Sequence, residues 1–101
     1  MVQNLNYLGE KYPIRISYYA IKNFQTETGK DISELDEDIS HLETLLYYSL
    51  VAGHRAEKKE MTLTKDDMEF MLDECLTEFN DLILNFFPYA VDEDGDISKK
   101  K

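Results

Sequence analysis

The sequence predicts a small, mainly helical α+β domain in which an N-terminal β-hairpin precedes three main helices. Apolar and polar residues alternate over residues 12–17, which is typical of a half-buried strand. Two later segments instead repeat apolar residues at helical spacing. The chain has 101 residues, the length of one domain. We expect residues 1–89 to form that domain and residues 90–101, which are acidic and end in lysines, to be disordered.

Residues 4–17 are predicted to form the hairpin. The strands are joined by a short link, Gly9-Glu10-Lys11, because glycine readily adopts a positive φ. Pro13 has no N–H to donate, so its strand should lie at a sheet edge or begin at this residue.

The first helix is predicted over residues 18–28. Ser17 can cap its N-terminus, and Gly29 stands where a glycine commonly ends a helix. The acidic segment that follows, residues 30–40, is expected to be a loop with one short helical turn. Its apolar anchors are Ile32, Leu35 and Ile39.

The second helix is predicted from Ser40 to about residue 56, because Ser40 and Glu43 have the spacing of a capping box. In its main apolar stripe, Ser49 and Gly53 are small and four residues apart, which would let another backbone approach closely. The stripe comprises Leu42, Leu45, Leu46, Ser49, Leu50 and Gly53.

The third helix has the strongest periodicity in the chain. Thr64 and Asp67 have capping-box spacing before it, and Pro88 stops it. Its apolar stripe repeats at steps of three and four residues over five turns, and burial of this stripe should anchor the fold. The stripe comprises Met68, Met71, Leu72, Cys75, Leu76, Phe79, Leu82, Ile83 and Phe86.

The charge of the chain is strongly negative: 21 Asp and Glu oppose 11 Lys and Arg, for a formal net charge of -10. Because phosphates would be repelled by such a surface, direct binding of nucleic acid is not expected. No apolar run approaches the length of a membrane span, and no leader opens the chain. Cys75 is the single cysteine, which favours a reducing compartment. We therefore expect a cytoplasmic protein that does not bind membranes.

Residues able to carry out catalysis or bind metal are few. His41, His54 and Cys75 are the soft ligands, and no two of them have the spacing of a zinc site. In the acidic segment 92–96, Gly95 is the fourth residue, whereas a calcium loop needs glycine at its sixth position and glutamate at its twelfth. Cys75 lies in the apolar stripe, where a thiol is inert. We expect no enzymatic activity, no metal and no cofactor.

Surface aromatic and aliphatic residues are the candidate binding groups. Tyr47, Tyr48 and Val51 lie opposite the main stripe of the second helix, so they are either covered by neighbouring elements or form a tyrosine-rich docking face. On the third helix, a second seam is either partner-facing or made of ordinary exposed apolar residues. Its members are Phe70, Thr77 and Leu84, which stand seven residues apart, with Phe87 and Tyr89 past the helix end.

Four segments carry a resemblance to a known family. They are Tyr12-Pro13-Ile14-Arg15-Ile16, Glu27-Thr28-Gly29, Leu45-Leu46-Tyr47-Tyr48-Ser49-Leu50-Val51-Ala52-Gly53-His54, and Leu63-Thr64-Lys65-Asp66-Asp67. Over roughly residues 7–86, the chain resembles the small tail assembly chaperones of long-tailed bacteriophages and related gene transfer agents. The resemblance implies a mostly helical, acidic protein that binds the tape-measure protein, the tail-tube subunit or both. It also implies absence from the finished virion.

Two further expectations concern the tail and an alternative function. In many of these families a programmed frameshift yields a longer product, and the lysines at 99–101 require an A-rich run of codons. That run predicts a slippery sequence, although a solubilising basic tail explains it equally well. The alternative function is an acidic inhibitor that mimics nucleic acid and occupies a basic cleft. Self-association, as a homo-oligomer, stays open.

Overall fold

The computed structural model of the protein describes residues 2–86. The predicted disordered tail and the predicted partner residues Phe87 and Tyr89 lie outside the described residues. The elements follow the predicted order, and the fold class is confirmed: a two-stranded hairpin and three main helices. Their bounds are β1 Gln3–Tyr7, β2 Glu10–Ile14, α1 Tyr18–Thr28, a 3₁₀ helix Ile32–Glu37, α2 Ile39–Ala56 and α3 Asp67–Phe86.

The hairpin is antiparallel and has a two-residue turn. Tyr7 pairs with Glu10, so Leu8 and Gly9 form the turn, with φ values of 51° and 81°. The predicted link at residues 9–11 was therefore wrong, since Glu10 begins β2. A two-residue hairpin turn of this kind needs positive φ at both positions, and Leu8 adopts it while its side chain points into solvent, 73% exposed.

Both predicted ends of α1 are confirmed. The Ser17 side chain accepts a hydrogen bond from the backbone N–H of Ala20, at 3.4 Å. Gly29 has a φ of 71° and donates its N–H to the carbonyl of Gln25 at 2.9 Å. Ala20 and Phe24 form the buried face of this helix.

The N-terminus of α2 differs from the prediction. Asp38 caps the helix, accepting from the backbone N–H of Ser40 at 3.0 Å and from its hydroxyl at 2.9 Å. The predicted capping box of Ser40 and Glu43 is therefore wrong; the aspartate two residues earlier satisfies the free N–H instead. Ile39, predicted as an apolar anchor, begins the helix and is 75% exposed. The predicted short turn before it is present as the 3₁₀ helix.

The centre of the fold is α2, which contacts α1, β2, the 3₁₀ helix and α3. Arg15 donates its backbone N–H to the carbonyl of Ser49 at 2.9 Å. One turn later, Gly53 is buried against the backbone of Pro13 and Ile14. The close backbone approach predicted for Ser49 and Gly53 is thus confirmed, and the hairpin is the element that approaches.

The long helix α3 packs on the hairpin and on α2. Before its first turn, the Asp67 carboxylate accepts the backbone N–H of Thr64 at 2.8 Å, which is half of the predicted capping box. Leu76 and Phe86 do not belong to the buried stripe, since they are 39% and 47% exposed. Both were predicted to be buried, but the neighbouring elements cover a narrower face. That face buries Met68, Met71, Cys75, Phe79 and Ile83.

Candidate functional site

Three tyrosines from α1 and α2 form a compact surface group, here called the tyrosine cluster: Tyr19, Tyr47 and Tyr48. The rings of Tyr47 and Tyr48 meet edge to face with centroids 5.2 Å apart. Tyr19 meets Tyr48 in the same way at 6.2 Å and is 38% exposed. Edge-to-face pairs of this kind add stabilisation beyond the burial of their area. The cluster therefore links α1 to α2 at the surface.

An ion pair between Lys65 and Glu27 lies next to the tyrosine cluster. The Tyr48 hydroxyl donates to Glu27 Oε1 at 2.6 Å, and the Lys65 ammonium donates to the same oxygen. Lys65 Nζ also lies over the rings of Tyr47 and Tyr48, 5.6 and 5.3 Å from their centroids. These contacts tie α1, α2 and the segment before α3 together.

The hydrogen bonds among Glu27, Tyr48 and Lys65 shift the pKa of these three groups. The pKa of Glu27 is lowered, first by the bond from Lys65 and then by the bond from Tyr48. The pKa of Tyr48 is raised, mainly because its hydroxyl donates to Glu27. The pKa of Lys65 is raised by its bond to Glu27. The arrangement stabilises a charged Glu27–Lys65 pair and a neutral Tyr48.

The predicted docking residues of α2 are neither fully covered by neighbouring elements nor fully exposed as a docking face. Tyr47, Tyr48 and Val51 are half-buried, and the two tyrosines pack against the core. Their partner-binding role stays a prediction. Sequence patterns did not indicate Tyr19 or Lys65 as members of this surface, because the three contributing segments are far apart in the chain.

On α3, Phe70 and Leu84 lie on the face turned away from the core, 62% and 47% exposed. They are fourteen residues apart, which is about 21 Å along a helix. Exposed carboxylates, including Asp73 and Asp81, occupy the intervening turns. The predicted seam is therefore present as two separate apolar positions on an acidic helix.

An open groove of about 590 Å³ runs between the 3₁₀ helix, the first turn of α2 and the last turns of α3. It is here called the acidic groove. Leu84 is the predicted partner residue that belongs to it. Ile39, which faces it from α2, was not predicted as a binding residue. The lining comprises Ile32, Ser33, Leu35, Asp36, Asp38, Ile39, Leu42, Asn80, Ile83 and Leu84.

The histidines and the cysteine are engaged in packing. Nδ1 of His41 hydrogen-bonds the carbonyl of Glu34 at 3.1 Å, and Nδ1 of His54 bonds that of Leu50 at 2.7 Å. Cys75 Sγ donates to the carbonyl of Asn6 at 2.9 Å, and burial raises the pKa of its thiol. Among residues 2–86, no group of three or more His, Cys, Asp or Glu side chains is placed to hold a metal ion.

Comparison with known proteins gives no relative. No protein-family model, no curated protein and no solved structure matches this chain. Within the described part of the chain, none of the helices combines the length and the apolar character that crossing a membrane requires. A functional assignment therefore depends on the sequence resemblance and on the surfaces described above.

Proposed function

We propose that this protein is a non-enzymatic assembly chaperone of phage or prophage origin, which binds a tape-measure protein, a tail-tube protein or both while a tail is built. It would act in the cytoplasm of the bacterial host cell. The resemblance over roughly residues 7–86 supports this proposal, and so does the order of elements, hairpin, helix, acidic linker and two long helices.

The observation that carries the proposal is that exposed apolar side chains lie on two long stretches of the chain that contain no Lys or Arg. Residues 31–54 and 66–86 contain six and seven acidic residues, respectively, and no Lys or Arg. On this surface Ile39, Phe70 and Leu84 are substantially exposed. Apolar contacts would supply binding free energy to an aggregation-prone client, and the carboxylates would keep the complex soluble.

Co-expression tests this proposal directly. The chain is produced together with any tape-measure and tail-tube proteins that are encoded beside its gene, and the soluble fraction and affinity of each client are measured. We expect the chain to raise client solubility, and the double variant Tyr47→Ala/Tyr48→Ala to weaken binding about tenfold. Tyr18→Ala is the matched control, since Tyr18 is 80% exposed and lies outside the tyrosine cluster.

Two results would contradict the proposal. One is a gene neighbourhood without tail genes. The other is a client whose solubility and binding are unchanged by this chain. If the client binds but the double variant, still folded by circular dichroism, binds equally well, the tyrosine cluster is not the docking face. Reading the gene also tests the proposed frameshift at the lysine codons 99–101, since a closed alternative frame would exclude it.

The carboxylates of α3 favour one other function, inhibition of a DNA- or RNA-binding protein by mimicry of nucleic acid. Exposed acids recur along this helix, among them Asp73, Glu74 and Asp81. Such a mimic would bind a basic cleft, and its affinity would fall steeply with salt. A chaperone that depends on apolar contacts would show a weaker dependence. Client affinity at two ionic strengths separates the two functions.

A further inference from the structure

The acidic groove is apolar at its floor and open to solvent. Six aliphatic side chains line it, and two of them remain largely uncovered: Ile39 is 75% exposed and Leu84 is 47% exposed. Its volume of about 590 Å³ is within the range of about 300–1,000 Å³ that is usual for small-molecule binding pockets. Apolar side chains from another molecule would therefore release water from both surfaces on entering it.

The charges around the groove are of one sign. Asp36 and Asp38 belong to its lining, and no Lys or Arg does. All of its lining residues belong to the two stretches that contain no Lys or Arg, residues 31–54 and 66–86. Asp38 is held in place by its bonds to Ser40, since it caps α2. The occupant that fits is apolar along one side and carries cations next to that side.

The charge pattern disfavours two other occupants. A second copy of this chain carries the same net charge of -10, so repulsion between the two copies opposes their association. Residues 87–91 of this chain are apolar, but Asp92, Glu93 and Asp94 follow them directly and would approach Asp36 and Asp38. Residues 87–94 contain no Lys or Arg that could pair with those carboxylates.

We propose that the acidic groove binds an amphipathic helix of another protein, with apolar residues at i, i+3, i+4 and i+7 and with Lys or Arg on the flanks of that stripe. The apolar residues enter between the 3₁₀ helix and α3, and the flanking cations pair with Asp36 and Asp38. This is the helix-in-groove mode of recognition. The inference goes beyond the proposed function, because it names a surface and a partner chemistry that hold whatever the partner's biological role is.

Three synthetic peptides of equal length test the inference on the full chain. The first, the basic peptide, has leucines at the stated spacing and lysines on the flanks. The second has the same composition in shuffled order, and the third has glutamates in place of the lysines. We expect the basic peptide alone to bind, and its binding to shift the amide resonances of residues 32–42 and 80–84. Fluorescence anisotropy gives the affinities.

Substitutions at exposed groove positions locate the site without disturbing the core. We expect Ile39→Ser or Leu84→Ser to weaken binding of the basic peptide about tenfold, since each removes a large apolar contact. Asp36→Asn should weaken it about threefold and reduce its dependence on salt. Phe70→Ser is the matched control on α3, because Phe70 is 62% exposed and lies outside the groove.

Each of the following results overturns the inference. The basic peptide does not bind at about millimolar concentration, the shuffled or acidic peptide binds equally well, or the shifts map to the tyrosine cluster. If Phe87→Ser/Tyr89→Ser shifts the groove amides with no peptide present, the chain's own tail is the occupant. If Ile39→Ser abolishes self-association in sedimentation, the occupant of the groove is a second copy of this chain. If the unmodified chain binds the basic peptide but binds no tail protein, only the proposed function is contradicted.

Discussion

Gly53 of α2 lies so close to β2 that a Cβ atom on it would be 2.5 Å from Ile14 Cα. One turn earlier, the carbonyl of Ser49 accepts the N–H of Arg15. The hairpin is thus attached to the central helix through backbone contacts, and both Ile14 and Gly53 are buried there.

Gly53→Ala tests how strongly this contact supports the fold. The added methyl would meet backbone atoms of Pro13 and Ile14, which cannot move aside as a side chain can. Overpacking of this kind costs about 1–3 kcal/mol, and alanine's helix preference returns at most about 1 kcal/mol. We expect a net loss of about 1–2 kcal/mol in urea unfolding. The control is Ala56→Gly, because Ala56 is exposed at the end of α2. This substitution should cost less than about 1 kcal/mol. An unchanged stability of Gly53→Ala would show that the hairpin shifts freely.

Leu8→Asn should stabilise the hairpin. Leu8 has a φ of 51°, a conformation that asparagine tolerates better than leucine, and its side chain is 73% exposed. With Gly9 it would form the Asn-Gly pair that favours this turn. We expect a gain of about 0.5–1 kcal/mol in the free energy of unfolding. Leu8→Val, which is β-branched, should instead destabilise the protein; equal effects of the two substitutions would contradict the turn geometry.

Glu27 should make stability depend on pH in the acid range. Its pKa in the folded protein is lowered from 4.5 by Lys65 and Tyr48, so its stabilisation is present above about pH 4.5 and is lost as the pH falls through the lowered value. The Glu27 side chain is 37% exposed, so we expect Glu27→Gln to cost only about 0.5 kcal/mol at neutral pH.

Thermal unfolding at neutral pH and at about pH 2 checks this prediction. The difference between wild type and Glu27→Gln should vanish at the lower pH, where the carboxyl is protonated in both the folded and the unfolded chain. Glu60→Gln, an exposed position outside the network, is the control. A difference that persists unchanged in acid would mean that Glu27 acts through packing and not through its charge.

Cys75 should be unreactive while the protein is folded. The side chain is buried, Sγ donates to Asn6, and burial together with Glu78 and Glu74 raises the pKa of the thiol. Since the thiolate is the reactive form, we expect thiol modification to be more than about tenfold slower than in urea-unfolded protein. Equal rates in the two states would show that α3 and β1 separate readily.

Several features were predictable because they depend on neighbours in the chain. The bounds of α1 follow from Ser17 and Gly29, whose hydrogen bonds reach only three or four residues away. Where two local signals competed, prediction failed: Asp38 and Ser40 are both good caps, and the aspartate occupies the site. The hairpin turn was misplaced for a different reason: Leu8 has a positive φ, a conformation that leucine rarely adopts.

The candidate surfaces depended on contacts that no local pattern contains. The small residues Ser49 and Gly53 predicted a close approach, but only the tertiary structure shows that β2 makes it. The acidic character and the periodicity of the helices could be recognised without the structure. Only the packing decided that Glu27, Tyr48 and Lys65 meet, and that Ile39 and Leu84 face one groove. The reason is physical: period and caps act within a few residues, whereas exposure depends on which distant elements cover a face.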